Sequence, residues 1–342
     1  MRVGDNVAKR SEALPPFGRH RVILPVYIPS LDEYFAKAID VLHLCLESLR
    51  LTTQGIASIT VISNGSAPAV EDDLVRLYRA GWIDQLAINR RNWGKVDAVV
   101  GAARATFEEL ITIADCDVLF MPGWMEAVEE VFRQFPECGV ASPAPNPRLS
   151  WYYASATILG ALVKRELGYE KVVPEIDLDR FAASIGSSEL FTKGDRGAQM
   201  VVKRNGAAAC VGCGHFVFTI RRGVLAAVPP EPACDALGGR AHEMWLDRPA
   251  DVLGLWRLAT TRAYAHHIGN MPEAWMYEAL ESIVRDGNAL SGVTAPLPDV
   301  RRGWPSRVPL RLRLGLVSAL RRLRVVGIGG RGLRRGEAEH EA

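Results

Sequence analysis

Apolar and polar positions change places along the first half of the chain in a repeating order. "HRVILPVYIPS" opens on an apolar run of strand length, and Ser30 with Glu33 forms a capping-box signature for a helix to about Leu49. "ASITVIS" (57–63) reads as a second strand, closed by the turn residues Asn64, Gly65 and Ser66. "VEDDLVRLYRAG" predicts a helix ending at Gly81, "IDQLAIN" a third strand and "KVDAVVGAARATFEE" a third helix. "LITIA", "GWMEAVEEVFRQF" and "CGVAS" continue as strand, helix and strand. Such alternation predicts an α/β fold with a mostly parallel, Rossmann-like sheet and helices on both faces. Ligands gather beyond the carboxyl ends of such strands, where Asn64, Asn92, Asp115 and Asp117 all fall.

The pattern weakens from Asn146 to Asn205, where helices are expected near 152–167 and 177–185. It returns with "AACVGCGHFVFTIRRGVLAAV", a helix around "HEMWLDRPADVLGLWRLA" and a strand "TRAYAHH". Pro296, Pro298, Pro305 and Pro309 punctuate a linker into an arginine-rich tail. The expected organisation is a flexible tail over 1–20, then two halves of one domain over 21–145 and 146–275, then a C-terminal extension over 276–342.

Composition narrows the class. A chain of 342 residues can bury a sizeable core, and 48% apolar with 23% charged residues is ordinary for a soluble globular protein. The longest apolar candidate, Trp151 to Val163, falls short of the roughly 18 residues a membrane span needs. The N-terminal stretch has no signal-peptide pattern and the six cysteines are sparse, so a cytoplasmic, reduced location is expected. The net charge of +2 conceals an asymmetry: residues 301–335 hold 11 arginines and no acid, leaving the first 300 residues with 30 basic against 36 acidic side chains. An acidic body argues against nucleic-acid binding. The basic tail, interleaved with Leu310, Leu312, Leu314, Leu316, Leu320 and Leu323, has two readings. It is a peripheral anchor on the anionic inner face of a membrane, or a plain tail that packs on the acidic body or is disordered.

The candidate chemistry centres on "ITIADCDVLF". In an extended segment Asp115 and Asp117 present both carboxylates on one side, and Mn²⁺ or Mg²⁺ takes one or two carboxylates plus phosphate oxygens. The plainer reading is that they cap a turn and the helix following Pro122. Neighbouring motifs bear on that choice. "VILPVYIPS", "ITVISNGS", "NRRNWGKVDAVVGAARAT", "ITIADCDVLFMPGWMEAV", "GCGHFVFTIRRGVL" and "HEMWLD…HHIGN" occur in order from about residue 21 to 270. In that order they resemble the family 2 glycosyltransferases and their relatives with the nucleotide-sugar-binding GT-A fold.

The resemblance implies a metal-dependent enzyme that moves a sugar from a nucleotide-sugar donor to an acceptor hydroxyl with inversion. The acceptor would be a glycan, a lipid-linked glycan or a small molecule. Residues 21–145 would bind the nucleotide sugar and 146–275 the acceptor. Pro25, Tyr27 and Asn64 would line the nucleoside pocket, with Asn92 and Lys95 near the ribose or diphosphate. Asp115 and Asp117, joined by His267, would hold the cation that bridges the phosphates. Glu243 would be the general base, with Asp247 one turn later as its alternative. The resemblance leaves the nucleobase open, because the family often has an acid where this chain has Ser63 or Asn64.

Two further patterns compete. Cys210, Cys213 and His215, with Cys234 downstream, approach a zinc-ligand set, but the same glycine-rich run fits a substrate loop and no zinc is expected. "GIGGRG" (327–332) satisfies G-x-G-x-x-G without the βαβ unit a dinucleotide site requires. Rival functions are a metal-dependent nucleotidyltransferase, which the glycine-free "PVYIPS" disfavours, and a non-catalytic binding module of the same fold.

Overall fold

The computed structural model describes residues 3–6, 17–53, 55–235, 240–286 and 296–322. The first half consists of β1 (His20–Val26), α1 (Ala38–Thr53), β2 (Ala57–Asn64), α2 (Pro68–Arg79), β3 (Gln85–Asn89) and α3 (Lys95–Arg104). It continues with β4 (Leu110–Ala114), β5 (Val118–Phe120), α4 (Trp124–Gln134) and β6 (Cys138–Ser142). The second half begins with α5 (Ser155–Val163), β7 (Leu167–Glu170), α6 (Glu175–Ser184), α7 (Lys193–Gly197), β8 (Gln199–Arg204), β9 (Ala207–Val211) and β10 (Val217–Arg221). After a π turn at His242–Asp247 come α8 (Arg248–Val252), β11 (Trp256–Ala259), β12 (Ala265–His267), α9 (Ala274–Asp286) and α10 (Leu310–Arg322).

Ten strands form one sheet in the order β3, β2, β1, β4, β10, β6, β11, β9, β8, β7. β3, β2, β1 and β4 are parallel, as the strand–helix alternation predicts. β10 inserts antiparallel between β4 and β6, and β11 runs parallel to β6. β9, β8 and β7 then extend the sheet in antiparallel steps, so the second half widens the same sheet. Strand side chains alternate between faces. Val22, Leu24 and Val26 of β1 therefore join Leu42, Leu46, Val70 and Leu74 of α1 and α2. Ile23 instead meets Val96, Val99 and Val100 of α3, so helices cover both faces.

Four element expectations are corrected. No capping box forms at Ser30: a single 3-10 turn at Glu33–Phe35 precedes α1, and Glu33 takes a positive φ of 45° that interrupts any helix. The third helix stops at Arg104, before "ATFEE". The long helix expected from His242 to Ala259 ends at Gly254, whose φ of 71° closes it, and "WRLA" becomes the buried strand β11. The predicted strand "TRAYAHH" is ordered as β12 only over its last three residues, paired with β5 outside the main sheet.

The described part of the arginine-rich extension packs on the body. Arg313 of α10 is fully buried, its Nη1 2.8 Å from Asp251 Oδ1 and 3.1 Å from Ser155 Oγ. A buried charge is tolerable only when paired and hydrogen-bonded, and Arg313 also donates to the carbonyls of Val308 and Asp251. Val317 and Leu320 complete the inward face against the cluster containing Trp256. Residues 323–335 and the "GIGGRG" pattern lie outside the described residues. No helix among the described residues is long and apolar enough to cross a membrane.

Candidate active site

At the carboxyl end of β4 the buried run stops and Asp115, Cys116 and Asp117 make a turn into β5. Backbone bonds pin this turn on two sides. The Asp115 N–H donates to Phe216 O at 2.8 Å, just before β10, and the Ile268 N–H donates to Asp117 O at 2.9 Å, just after β12. The expected extended segment is corrected to a turn, and each carboxylate has its own partner. The Asp115 carboxylate is paired with the ammonium of Lys95, the first residue of α3. Asp117 Oδ2 lies 3.3 Å from His267 Nε2, while His267 Nδ1 is 2.9 Å from Ser184 Oγ.

Electrostatics separate the two acids. Burial, with the charge of Asp117, raises the Asp115 pKa above its ordinary range despite Lys95. For Asp117 burial acts in the same sense but is outweighed by His267, so its pKa is lowered. Burial opposes the charge on His267, yet Asp117 raises its pKa. His266, one residue earlier, turns the other way against the Trp275 ring, and burial lowers its pKa to about 4. Asp117 Oδ1 is buried without a hydrogen-bond partner. An acceptor-only oxygen in that state is expensive unless a cation satisfies it. Among the described residues no three His, Cys, Asp or Glu side chains stand where they could hold one metal ion together, so Asp115, Asp117 and His267 do not form the expected three-ligand set as they stand. The two carboxylates would suit an open site, since Mn²⁺ or Mg²⁺ takes one or two carboxylates and would draw its remaining ligands from phosphate and water.

Beside this turn, the β2 end is organised by Asn64, which is 2% exposed. Its Nδ2 donates to Asn92 Oδ1 at 2.8 Å, and its Oδ1 accepts from Asn89 Nδ2 at 3.1 Å and the Trp93 N–H at 3.2 Å. Asn64 thus does not line an open pocket; its polar atoms are spent on shaping the loop to Lys95. Asn92 is half-buried and folds back, with Oδ1 2.7 Å from the Gly94 N–H. Gly65 has a φ of 82°, and a Cβ there would lie 2.6 Å from the Asn92 N, so only glycine lets these loops touch. Pro25 is buried within β1, which also corrects its placement at the pocket wall, whereas Tyr27 is exposed just beyond.

The third component is the π turn at His242–Asp247, which packs against α3. Such wide turns re-aim side chains relative to an ordinary helix. Glu243 is half-buried and accepts a hydrogen bond from Tyr153 OH, carried on a residue with a φ of 44°. Asp247 points inward, its Oδ1 2.5 Å from Arg257 Nη2. Burial would raise its pKa, but Arg257 outweighs burial and lowers it. Asp247 is therefore corrected from alternative base to a buried ion-pair partner. Tyr153 and Arg257 were missed as site residues, and His215 was noted only beside Cys210 and Cys213; Arg257, a lone charge in the apolar run "GLWRLA", carried a visible signal. Cys210 and Cys213 are buried in two different clusters, and Cys234 is exposed.

With this geometry in place, comparisons with known proteins are informative at one level. Among solved structures, a mannosyltransferase from Pyrobaculum calidifontis in complex with GDP-Man and Mn²⁺ is similar at 14% identity and a TM-score of 0.41, over 94% of this chain and 81% of that chain. Glucosyl-3-phosphoglycerate synthase from Mycobacterium tuberculosis, in complex with Mn²⁺, UDP and glucosyl-3-phosphoglycerate, is similar at 12% identity and a TM-score of 0.40, over 78% of this chain and 77% of that chain. No curated protein matches the sequence. Residues 26–184 match the model of glycosyl transferase family 2, so over that stretch the chain carries a region of the family 2 glycosyltransferase type.

Proposed function

We propose that this chain is a metal-dependent glycosyltransferase that moves a sugar from a nucleoside-diphosphate sugar to an acceptor hydroxyl, with inversion. The observation that carries the reading is the turn after β4, with a buried, partnerless Asp117 oxygen beside Lys95 and His267. Asp115 and Asp117 would hold Mn²⁺ or Mg²⁺, with His267 beside Asp117 free to turn toward it, and the ion would supply positive charge to the departing diphosphate. Lys95 places a further positive charge in the same cluster to neutralise a phosphate oxygen. Tyr27, exposed beyond β1, offers a ring face to the nucleoside. Glu243 takes the proton of the attacking hydroxyl, and Tyr153 fixes the orientation of its carboxylate.

A thermal-shift screen of nucleoside diphosphates and nucleotide sugars tests the reading, because a ligand bound to the folded state raises apparent stability. At least one nucleotide should raise Tm with Mn²⁺ and not with EDTA. No shift for any nucleotide in Mn²⁺ would overturn the proposal.

The reading also includes a peripheral membrane contact through α10. Its inward face is occupied by Arg313, Val317 and Leu320, but Leu312 and Leu316 on the outward side are 61% and 48% exposed. Arg311 and Arg322 lie exposed on the same helix, and residues 301–322 contain no acid. Exposed leucines among arginines combine apolar insertion with attraction to anionic lipid, at about 1 kcal/mol per arginine near the surface. The full chain should co-sediment with anionic vesicles, less so in high salt, and Leu312→Ser/Leu316→Ser should weaken pelleting. Equal pelleting with neutral vesicles, or no effect of the double substitution, would remove the membrane from the proposal.

A further inference from the structure

Asp247 and His215 show an unusual shared feature. Asp247 Oδ2 is buried without a hydrogen-bond partner, and so is His215 Nδ1, yet the two atoms face each other at 3.6 Å. The other Asp247 oxygen is held by Arg257, which also donates to the Cys213 carbonyl at 3.0 Å and the Tyr152 carbonyl at 3.3 Å. The Gly212 N–H returns a bond to the Arg257 carbonyl at 3.0 Å, so one buried arginine fixes both the carboxylate and the loop leading to His215. The ring itself remains 43% exposed. With Nδ1 buried, Nε2 is the ring nitrogen left for a ligand to reach.

The position of this edge follows from the backbone. His215 immediately precedes Phe216, whose carbonyl accepts the Asp115 N–H, so it stands next to the turn of Asp115 and Asp117. On its other side the ring stacks on His242, with centroids 5.3 Å apart and planes at 29°, and His242 is the neighbour of Glu243. In the proposed reaction the sugar carbon must lie between the diphosphate at the aspartates and the base at Glu243. His215 is tied to both sides: its neighbour Phe216 holds Asp115, and its ring stacks on the neighbour of Glu243.

We infer that His215 is a specificity-determining residue that hydrogen-bonds a hydroxyl of the donor sugar through Nε2, with Asp247 as the positioning residue that holds the ring. This rests on the glycosyltransferase reading and adds the sugar subsite to it. A carboxylate behind one imidazole nitrogen fixes tautomer and ring orientation, leaving the other nitrogen presented in a defined direction. No bond is made or broken at His215. Its contribution falls on the sugar and not on the nucleotide.

The test compares dissociation constants in Mn²⁺ for UDP against UDP-glucose and for GDP against GDP-mannose. His215→Ala should weaken the nucleotide sugar about tenfold, as expected for one lost hydrogen bond, and leave the free diphosphate unchanged. His215→Gln should recover part of the loss, since it keeps a hydrogen-bonding group. Asp247→Asn should show the same selective loss. Equal weakening of sugar-bearing and sugar-free ligands, or no weakening by His215→Ala, would overturn the inference. Absence of wild-type binding to all four probes would instead overturn the glycosyltransferase reading beneath it.

Discussion

Asp115→Asn/Asp117→Asn is expected to abolish Mn²⁺-dependent binding of a nucleoside diphosphate while the fold persists. The turn that carries the two residues is held by the bonds Asp115 N–H to Phe216 O and Ile268 N–H to Asp117 O, which use no carboxylate. Asparagine preserves side-chain shape, but it leaves Lys95 and His267, 17% and 11% exposed, without a counter-charge, so Tm should fall somewhat while the fold persists. The two negative charges, by contrast, are what a hard divalent cation requires. Calorimetric titration with and without Mn²⁺ checks the result, and an unchanged metal-dependent affinity would assign the cation elsewhere. Unfolding of the double variant, read by circular dichroism, would contradict the expectation that the carboxylates are functional and not structural.

Glu243→Gln should lower turnover by about 10² or more and leave donor affinity nearly intact. Glutamine keeps an acceptor oxygen for Tyr153 OH but cannot take the hydroxyl proton at neutral pH. Asp247 differs in kind, because its carboxylate is buried against Arg257. Steady-state kinetics on Glu243→Gln, with donor binding measured separately, decide the assignment. Donor affinity lost in parallel with turnover would place Glu243 in the binding site, and unchanged turnover would end its role as base.

The nucleotide-side half was legible because its elements carry their period locally. β1, β2 and β4 are apolar runs of strand length, their connecting helices are amphipathic, and the chemistry stands where the runs stop. What the pattern could not give was direction. Asn64 sits at a strand end as expected, but only the three-dimensional meeting with Asn89, Asn92 and Trp93 shows that its polar atoms are already used.

The second half was harder because its order is set by distant partners. "WRLA" follows an apolar stretch that reads as helix, and it becomes strand by pairing with β6 and β9. "LRLRL" alternates like a strand, yet α10 is helical with Arg313 turned inward to Asp251, a residue 62 positions away. A pattern that treats every arginine as outward cannot find that face. Arg257 and Arg313, each among leucines, are the positions where a buried acidic partner was the missing element. Tyr153 gave no such sign.

The central claim is transfer of a sugar from a nucleotide sugar, and the most direct measurement identifies the leaving group. The full chain incubated with nucleotide sugars and Mn²⁺ should release a nucleoside diphosphate, followed by ³¹P NMR, through slow hydrolysis even before an acceptor is known. The release should cease in EDTA and in Asp115→Asn/Asp117→Asn. Nucleotide sugars left intact, with pyrophosphate released from a nucleoside triphosphate instead, would contradict the account and assign the same aspartates to nucleotidyl transfer.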